Sequence, residues 1–207
     1  VDYYRDSSYY LDHNRYNQVK DDFLLKEIKH LDLSRNHFVV LNMMGSHEPY
    51  KERYPKSYAF YPEDHLINQY DNSVRYTDFI ISEIVSYFRR SSTHKTYVFF
   101  TSDHGQHLGE AGYGKGSLSM STDYEVPFIF YPIHDRVSAK VRKFFDRQWI
   151  SHLDVSQIVA HYIGYDAVDT SKDKKEAFVL GAELNGNSGY AKIILDQGKI
   201  TNKTIHY

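Results

Sequence analysis

The chain has 207 residues, of which 41% are hydrophobic and 25% are charged, a balance typical of a globular protein and not of a disordered segment. The formal net charge of -2 provides no basic field, so we expect no nucleic-acid partner. The absence of cysteine excludes disulfides and thiolate zinc sites, but it does not fix the cellular compartment. No apolar run approaches the ~20 residues that a membrane-spanning helix requires.

Three elements are predicted in the first half of the chain. Residues 18–31 have apolar side chains at helical spacing, and residues 37–41 form a short apolar run that predicts a buried strand. Pro62 marks the start of a second helix, which extends to about residue 90 because one face recurs at steps of three and four. The recurring positions are Leu66, Tyr70, Val74, Thr77, Ile81, Ile84 and Phe88.

The second half is predicted to contain strands and shorter helices. Residues 97–100 and 126–131 are apolar runs typical of buried strands. Helical patterns follow at residues 137–147 and 151–163. Near the C-terminus, alternating residues flank Asp196-Gln197-Gly198, and this pattern predicts a hairpin.

Strands that alternate with helices predict an α/β fold, in which a sheet is flanked by helices. No repeat, low-complexity segment or linker divides the chain, so we predict one domain over residues 1–207. Functional residues of such sheets gather in loops beyond the carboxyl ends of strands. Two loops, at residues 42–49 and 102–116, take that position in the sequence.

Asp103 and His104 are the first candidate functional residues. A carboxylate and an imidazole are good ligands for zinc or manganese, and Gly105 lets the backbone turn sharply beside an ion. Neighbouring side chains point to opposite faces within a strand, but at a strand end the chain bends and both can reach one metal. An Asp-His dipeptide alone is common, and an exposed aspartate or a helix cap is the alternative. The preceding strand and the following glycine-rich loop favour a metal site.

His47 and Lys115 are the other candidates. His47 can bind a second metal, hydrogen-bond a phosphate oxygen or protonate a leaving group; the alternative is a loop histidine bonded to a backbone carbonyl. Lys115 lies between Gly114 and Gly116, where exposed amides and a positive charge suit a phosphate or sulfate oxyanion. For Lys115, the alternative is a solvated lysine in a loop.

Other polar features are interpreted as structural. Asp21-Asp22 is predicted to be the solvated start of a helix, and residues 172–176 are predicted to form an exposed loop. Several further histidines share no ligand spacing: His30, His65, His94, His134, His152 and His161.

Five short segments occur in a recognisable order. They are Leu41–Tyr50, Arg53-Tyr54-Pro55, Tyr70–Asp78, Thr101–Glu110 and Val126-Pro127. The first two segments together resemble the histidine loop of the phosphoethanolamine transferases. The other three resemble, in order, that family's following helix, its metal loop and its next strand. This family belongs to the sulfatase and alkaline-phosphatase superfamily. The resemblance covers roughly residues 18–165. The Ser-Asp-His-Gly element alone is shared with sulfatases, whereas the combination is more specific.

The resemblance implies an alkaline-phosphatase/sulfatase-like fold and an enzyme at the periplasmic face of the bacterial inner membrane. Such enzymes move phosphoethanolamine from a phospholipid donor to lipid A, core sugars or another glycan, with zinc and a threonine nucleophile. By this resemblance Asp103 and His104 are metal ligands for zinc, or for manganese or another divalent ion. By the same resemblance His47 lies on the phosphate or acceptor side. Substrate binding by Lys115 is predicted from its own setting between two glycines and not from the resemblance.

The sequence also departs from the family pattern. No segment before residue 18 matches the family's nucleophilic threonine and upstream acidic ligand. We therefore expect the chain to be the C-terminal portion of a catalytic domain. Such a portion would have half a metal site, weak zinc affinity and no activity alone. Lys115 aligns where many relatives have histidine, Gln106 where glutamate is common, and Glu48 where glycine is common. A hydrolase of the same superfamily, such as a sulfatase or phosphodiesterase, and a non-catalytic domain that binds glycans or lipid head groups are the alternatives.

Overall fold

The fold is known from a computed structural model that describes residues 20–109, 112–115, 117–118, 120–147, 149–165, 176–182, 188–196 and 199–206. The chain divides into two compact units, Val1–His94 and Lys95–Tyr207. In the described ranges, no helix combines the length and apolarity needed to cross a bilayer. One domain over residues 1–207 stays a prediction.

The first unit is helical in its described part. Helix α1 spans Asp22–Glu27 and continues as a 3-10 turn, Ile28–His30. Two further 3-10 turns, Tyr50–Glu52 and Lys56–Tyr58, lead to helix α2, Leu66–Ser91. Both predicted helices are therefore confirmed.

Helix α2 starts four residues later than Pro62, its predicted start. The N-cap residue His65 is extended, and the preceding Glu63 is held in tertiary contacts: its carbonyl accepts from Gln69 Nε2 at 2.8 Å, and its carboxylate accepts from Tyr54 at 3.0 Å. The helix ends after Arg89 and Arg90, which suit its negative C-terminal end.

The core of the first unit lies against one face of α2. Its buried residues are Ile28, Tyr54, Tyr76, Ile80 and Ile84. The predicted stripe is partly correct, because Thr77 and Ile84 are buried while Val74 is 42% exposed. The buried face is rotated toward the polar residue Asn72, whose side chain accepts from the amides of Phe60 and Tyr61 at 2.9 Å each. Because Asn72 is polar, a search for apolar periodicity does not identify it as a buried position.

The predicted buried strand at residues 37–41 is wrong. In the described part of the chain this run belongs to no ladder, and Phe38 and Val40 are 66% and 76% exposed. An apolar run becomes a buried strand only when a neighbouring strand takes up its backbone hydrogen bonds. Here the described contact of His37 is instead local, with its Nε2 2.7 Å from the carbonyl oxygen of Asp32.

The second unit contains the predicted strands and helices. Strand β1 spans Thr96–Thr101. Two short strands follow, β2 at His107–Gly109 and β3 at Gly112–Gly114. Strand β4 spans Phe128–Ile133 and pairs antiparallel with β1, with Phe99 opposite Phe130.

Two helices cover the β1–β4 sheet. Helix α3 spans Ala139–Phe145 and α4 spans His152–Tyr162, as predicted. Their buried residues Val141, Phe144 and Ile158 form one cluster with sheet residues that include Phe99 and Phe130. Because sheets and helices pack together, the α/β prediction is confirmed.

A second antiparallel sheet lies near the C-terminus. It consists of β5, β6 and β7, in that order, which span Glu176–Ala182, Ser188–Asp196 and Lys199–His206. The β6–β7 pair confirms the predicted hairpin. The predicted loop at residues 172–176 is corrected at Glu176, which begins β5 and pairs with Ile194; residues 172–175 lie outside the described residues.

Candidate metal centre

Asp103 and His104 lie in a tight turn directly after β1. The Ser102 hydroxyl donates to the carbonyl oxygen of His104 at 2.7 Å, and the His104 amide donates to Asp103 Oδ1 at 3.0 Å. These local bonds turn both side chains the same way, and Asp103 Oδ2 lies 3.8 Å from His104 Nε2. The bend expected at the strand end therefore brings the two side chains together.

The orientation of the His104 ring favours a ligand role. Its Nδ1 is 2.7 Å from the carbonyl oxygen of Gly105, so Nδ1 carries a hydrogen, and in the neutral ring the lone pair is on Nε2. Metal-binding histidines have this arrangement, in which the other ring nitrogen donates to a carbonyl or carboxylate. Two bonds of about 2 Å can span the distance between Nε2 and the Asp103 oxygen, so the pair fits two ligands of one ion. The described residues contain no group of three or more such side chains placed to hold a metal.

His152 shares no ligand spacing with other histidines in the sequence, but in the structure it lies beside the metal loop. Its Nε2 is 3.3 Å from Thr101 Oγ1, at the end of β1. A capping box at the start of α4 fixes this position: Ser151 accepts from the Asp154 amide at 3.2 Å, and the Asp154 carboxylate accepts from the Ser151 amide at 2.9 Å. The pairing joins residues 51 positions apart, so ligand spacing cannot reveal it.

Gly105 is required by a close backbone contact. A Cβ atom at this position would lie 2.0 Å from the carbonyl oxygen of Thr122, and the Gly105 amide donates to the carbonyl of Asp123 at 2.9 Å. The sequence predicted a glycine that permits a sharp turn. The structure instead shows a glycine that permits close approach to a second segment.

Three buried polar residues lie behind the metal loop, and the sequence did not indicate them. His107 Nδ1 is 2.9 Å from Asp123 Oδ1, and the Ser117 amide donates to Asp123 Oδ2 at 2.6 Å. The side chains of His107 and Asp123 are 0% and 1% exposed. Within the described residues, His107 Nε2 is buried without a hydrogen-bond partner.

Lys115 follows β3 and has an exposed side chain. It comes directly after Gly114, which pairs with His107 across the β2–β3 hairpin, and two residues before Ser117. Its second glycine neighbour, Gly116, lies outside the described residues. The binding of substrate by Lys115 stays a prediction.

His47 lies in a loop of the first unit. Its amide donates to the carbonyl of Met44 at 3.1 Å, and its Nδ1 is 2.6 Å from the carbonyl oxygen of Glu48. A contact with a backbone carbonyl was the structural alternative for this residue, and the structure contains that contact. The ring is exposed and, together with Glu48, Tyr50 and Gln69, lines a cleft of about 440 Å³, so its role toward substrate stays a prediction.

Two charged side chains anchor the His47 loop. The Asp21 carboxylate accepts from the amides of Met44 at 2.9 Å and Gly45 at 2.8 Å. Arg53, only 2% exposed, donates from Nε to the carbonyl of His47 at 2.9 Å. The interpretation of Asp21 as solvated is therefore wrong: it is 4% exposed because the loop folds over it. Burial raises the pKa of Asp21, while the two donated amide bonds oppose the rise.

Comparison with known proteins identifies the class of protein. A family model described as Sulfatase matches residues 1–165, and the chain belongs to the sulfatase family. Kdo(2)-lipid A phosphoethanolamine 7''-transferase of Escherichia coli (strain K12) is 28% identical, over 72% of this chain and 31% of that protein. Phosphoethanolamine transferase EptA of Helicobacter pylori (strain ATCC 700392 / 26695) is 33% identical, over 47% of this chain and 22% of that protein.

These relatives confirm the resemblance to phosphoethanolamine transferases that the motifs predicted. The chain spans about a third of the length of the Escherichia coli relative and about a fifth of the Helicobacter pylori relative. The β5–β7 sheet lies beyond the residues that the family model matches.

Proposed function

We propose that this chain is part of a zinc-dependent enzyme that transfers phosphoethanolamine from a phospholipid to lipid A, core oligosaccharide or another envelope glycan. The names of the relatives support the transferred group. The observation that carries the proposal is the turn after β1, in which the Asp103 carboxylate and the His104 imidazole face each other at 3.8 Å. Membership of the sulfatase family is consistent with metal-assisted transfer at this turn.

In this proposal the Asp103 carboxylate and the His104 imidazole would hold the ion. Zinc, or manganese or another divalent ion in its place, would activate a hydroxyl and stabilise charge on the phosphoryl group. The transfer forms a phosphorus–oxygen bond to an acceptor hydroxyl, which gives up its proton, and breaks the phosphorus–oxygen bond to the phospholipid glycerol, whose oxygen takes up a proton. His47 is assigned to the substrate side, where an imidazole can donate that proton. The Lys115 ammonium is assigned to attraction of the phosphate.

The proposed partners are a phospholipid donor and a glycolipid acceptor. Both are membrane lipids, and we propose further that the intact protein acts at the periplasmic face of the bacterial inner membrane, as the resemblance implies. The names of the relatives support the acceptor class, since one of them acts on Kdo(2)-lipid A.

Mass spectrometry of envelope glycolipids tests the proposal. We expect cells that produce the intact protein to add phosphoethanolamine to a glycolipid, and we expect Asp103→Ala and His104→Ala to abolish the addition. Asp196→Ala is the matched control, because it removes an exposed carboxylate from β6 of the same unit. Unmodified glycolipids with the wild-type protein, beside a phosphoethanolamine transferase that modifies them, would refute the proposal.

Hydrolysis is the second candidate, because the matching family model is that of the sulfatases. A hydrolase needs the same metal loop but passes the group to water in place of a glycan. Release of nitrophenol from an aryl sulfate or from a phosphodiester, lost in Asp103→Ala and accompanied by unmodified glycolipids, would favour this candidate.

A further inference from the structure

One residue, Asp123, joins three separate points of the chain behind the metal loop. Its backbone carbonyl accepts from the Gly105 amide at 2.9 Å. Its two carboxylate oxygens accept from His107 Nδ1 at 2.9 Å and from the Ser117 amide at 2.6 Å. Gly105 follows the predicted metal ligands, His107 begins β2, and Ser117 closes the segment that contains Lys115. The Asp123 carboxylate therefore connects both ends of the glycine-rich loop.

The surroundings make these bonds strong. His107, Ser117 and Asp123 are 1%, 3% and 3% exposed, so water does not compete for their hydrogen bonds, and the low local dielectric strengthens them. The Asp123 carboxylate accepts from Nδ1–H of His107, and Nε2 is left without a hydrogen-bond partner in the described part of the chain. An apolar side chain would fill the same space without the desolvation free energy of an unpaired ring nitrogen. The stabilising contribution of His107 therefore lies in its hydrogen bond to Asp123.

Apolar packing supports the same residues from the other side. Leu118, the neighbour of Ser117, and Tyr124, the neighbour of Asp123, pack with Ala191 and Ile193 of β6. Leu118 is 1% exposed. The C-terminal sheet, which the family model does not cover, thus contacts the segments on both sides of the carboxylate.

We propose that Asp123 and His107 form a clasp that positions the Asp103–His104 turn, and that Asp123 is the positioning residue of the metal loop. The clasp fixes Gly105 through the Asp123 backbone, and Gly105 supplies the carbonyl that orients the His104 ring at 2.7 Å. The connection runs from Asp123 through Gly105 to His104, without contact between Asp123 and the ion. Its consequence for metal affinity rests on the proposed function, whereas its consequence for the loop does not.

Two amide substitutions at one position test the clasp. The amide nitrogen of asparagine takes the place of Nδ1, so His107→Asn retains a donor to Asp123, whereas His107→Gln places its amide where Nε2 was. Asp123→Ala removes the acceptor itself. Val141→Ala is the matched control, because Val141 is buried in the same unit but belongs to the cluster between the helices and the β1–β4 sheet.

Hydrogen exchange of individual amides is the first measurement. In His107→Gln and Asp123→Ala we expect the Gly105 and Ser117 amides to exchange at least about 10-fold faster relative to Phe99 and Phe130, whereas His107→Asn preserves the wild-type ratio. A general loss of stability, as in Val141→Ala, accelerates all four amides together. Equal ratios in His107→Gln and Val141→Ala would overturn the clasp.

Zinc affinity, measured by competition with a coloured chelator, is the second measurement. Partners that orient metal ligands typically contribute about 10- to 100-fold to metal affinity. We therefore expect at least a 10-fold loss of zinc affinity in His107→Gln and Asp123→Ala. In the control Val141→Ala we expect less than a twofold change in zinc affinity. If wild type and Asp103→Ala bind zinc equally, the proposed metal function fails, and the exchange ratios still decide the clasp. If Asp103→Ala loses zinc but the clasp variants match Val141→Ala, the clasp fails and the metal site stands.

Discussion

The His47 loop and the Asp103–His104 loop are anchored in different ways, although both contain the histidines that motifs single out. The His47 loop is held by side chains from outside it: Asp21 accepts from its amides, and Arg53 donates to the carbonyl oxygens of His47 and Glu48. The metal loop is held from within its own hairpin and the segment that follows it, through Asp123. In both cases a buried carboxylate accepts hydrogen bonds from the backbone: Asp21 from the Met44 and Gly45 amides, and Asp123 from the Ser117 amide.

The difference determines how each loop can be disturbed. Asp21 and Met44 are 23 residues apart, whereas His107 and Asp123 are 16 residues apart. The His47 loop therefore depends in part on the docking of α1, and a change that frees α1 leaves the Arg53 bonds to hold the loop. The metal loop depends on a backbone contact at Gly105 that leaves no space for a side chain.

The largest effect is expected for Gly105→Ala. The added Cβ would lie 2.0 Å from the Thr122 carbonyl oxygen, so the two backbone segments must separate, and overpacking of this kind costs about 3 kcal/mol. We expect that loss in chemical denaturation, together with loss of zinc binding. Gly109→Ala, in β2 close to the same loop, is the control: its φ of +144° makes alanine strained, but among the described residues, its chain neighbours aside, no atom lies within 4 Å of the added Cβ. Zinc affinity that survives in Gly105→Ala would show that the close contact does not position the ligands.

A smaller effect is expected for Asp21→Ala. The substitution leaves the Met44 and Gly45 amides without their acceptor, and unsatisfied buried donors of this kind cost about 2 kcal/mol. Denaturation in urea measures this loss, and faster hydrogen exchange at Gly45 shows where it arises. Asp78→Ala is a suitable control, because it removes an exposed carboxylate from α2 and should change stability by less than about 0.5 kcal/mol. Equal stability of the two variants would contradict an anchoring role for Asp21.

Local patterns predicted the elements whose cause is local. Helix α2, the strands β1 and β4 and the C-terminal hairpin follow from periodicity, apolar runs and turn residues. The Asp103–His104 turn was also predictable, because a strand end, a ligand pair and a glycine are contiguous in the sequence. Residues 37–41 show the limit of such patterns. The sequence of an apolar run does not reveal whether a neighbouring strand pairs with it.

The anchoring residues were not predictable for a physical reason. Asp21 accepts from amides 23 and 24 positions away. Asp123 meets His107 across 16 positions, and His152 meets Thr101 across 51 positions. Nothing in the composition around an aspartate distinguishes a solvated carboxylate from a buried acceptor of amide hydrogens. Asp21 shows this most clearly, because its neighbour Asp22 is exposed while Asp21 is buried. Only the folded arrangement of chain segments defines these contacts.

The smallest predicted effect is the pH dependence that Asp21 contributes. Burial raises its pKa in the folded protein above the ordinary value of 3.8, so the folded state binds more protons than the unfolded state between these two values. The contribution to stability is therefore fully present below pH 3.8 and declines as pH rises through the folded pKa. We expect the difference in unfolding free energy between wild type and Asp21→Asn to fall across that window and to level off above it. Urea denaturation at a series of pH values measures this difference. A difference that instead grows with pH would mean that the donated amides of Met44 and Gly45 outweigh burial, and that Asp21 anchors the His47 loop as a stabilised anion.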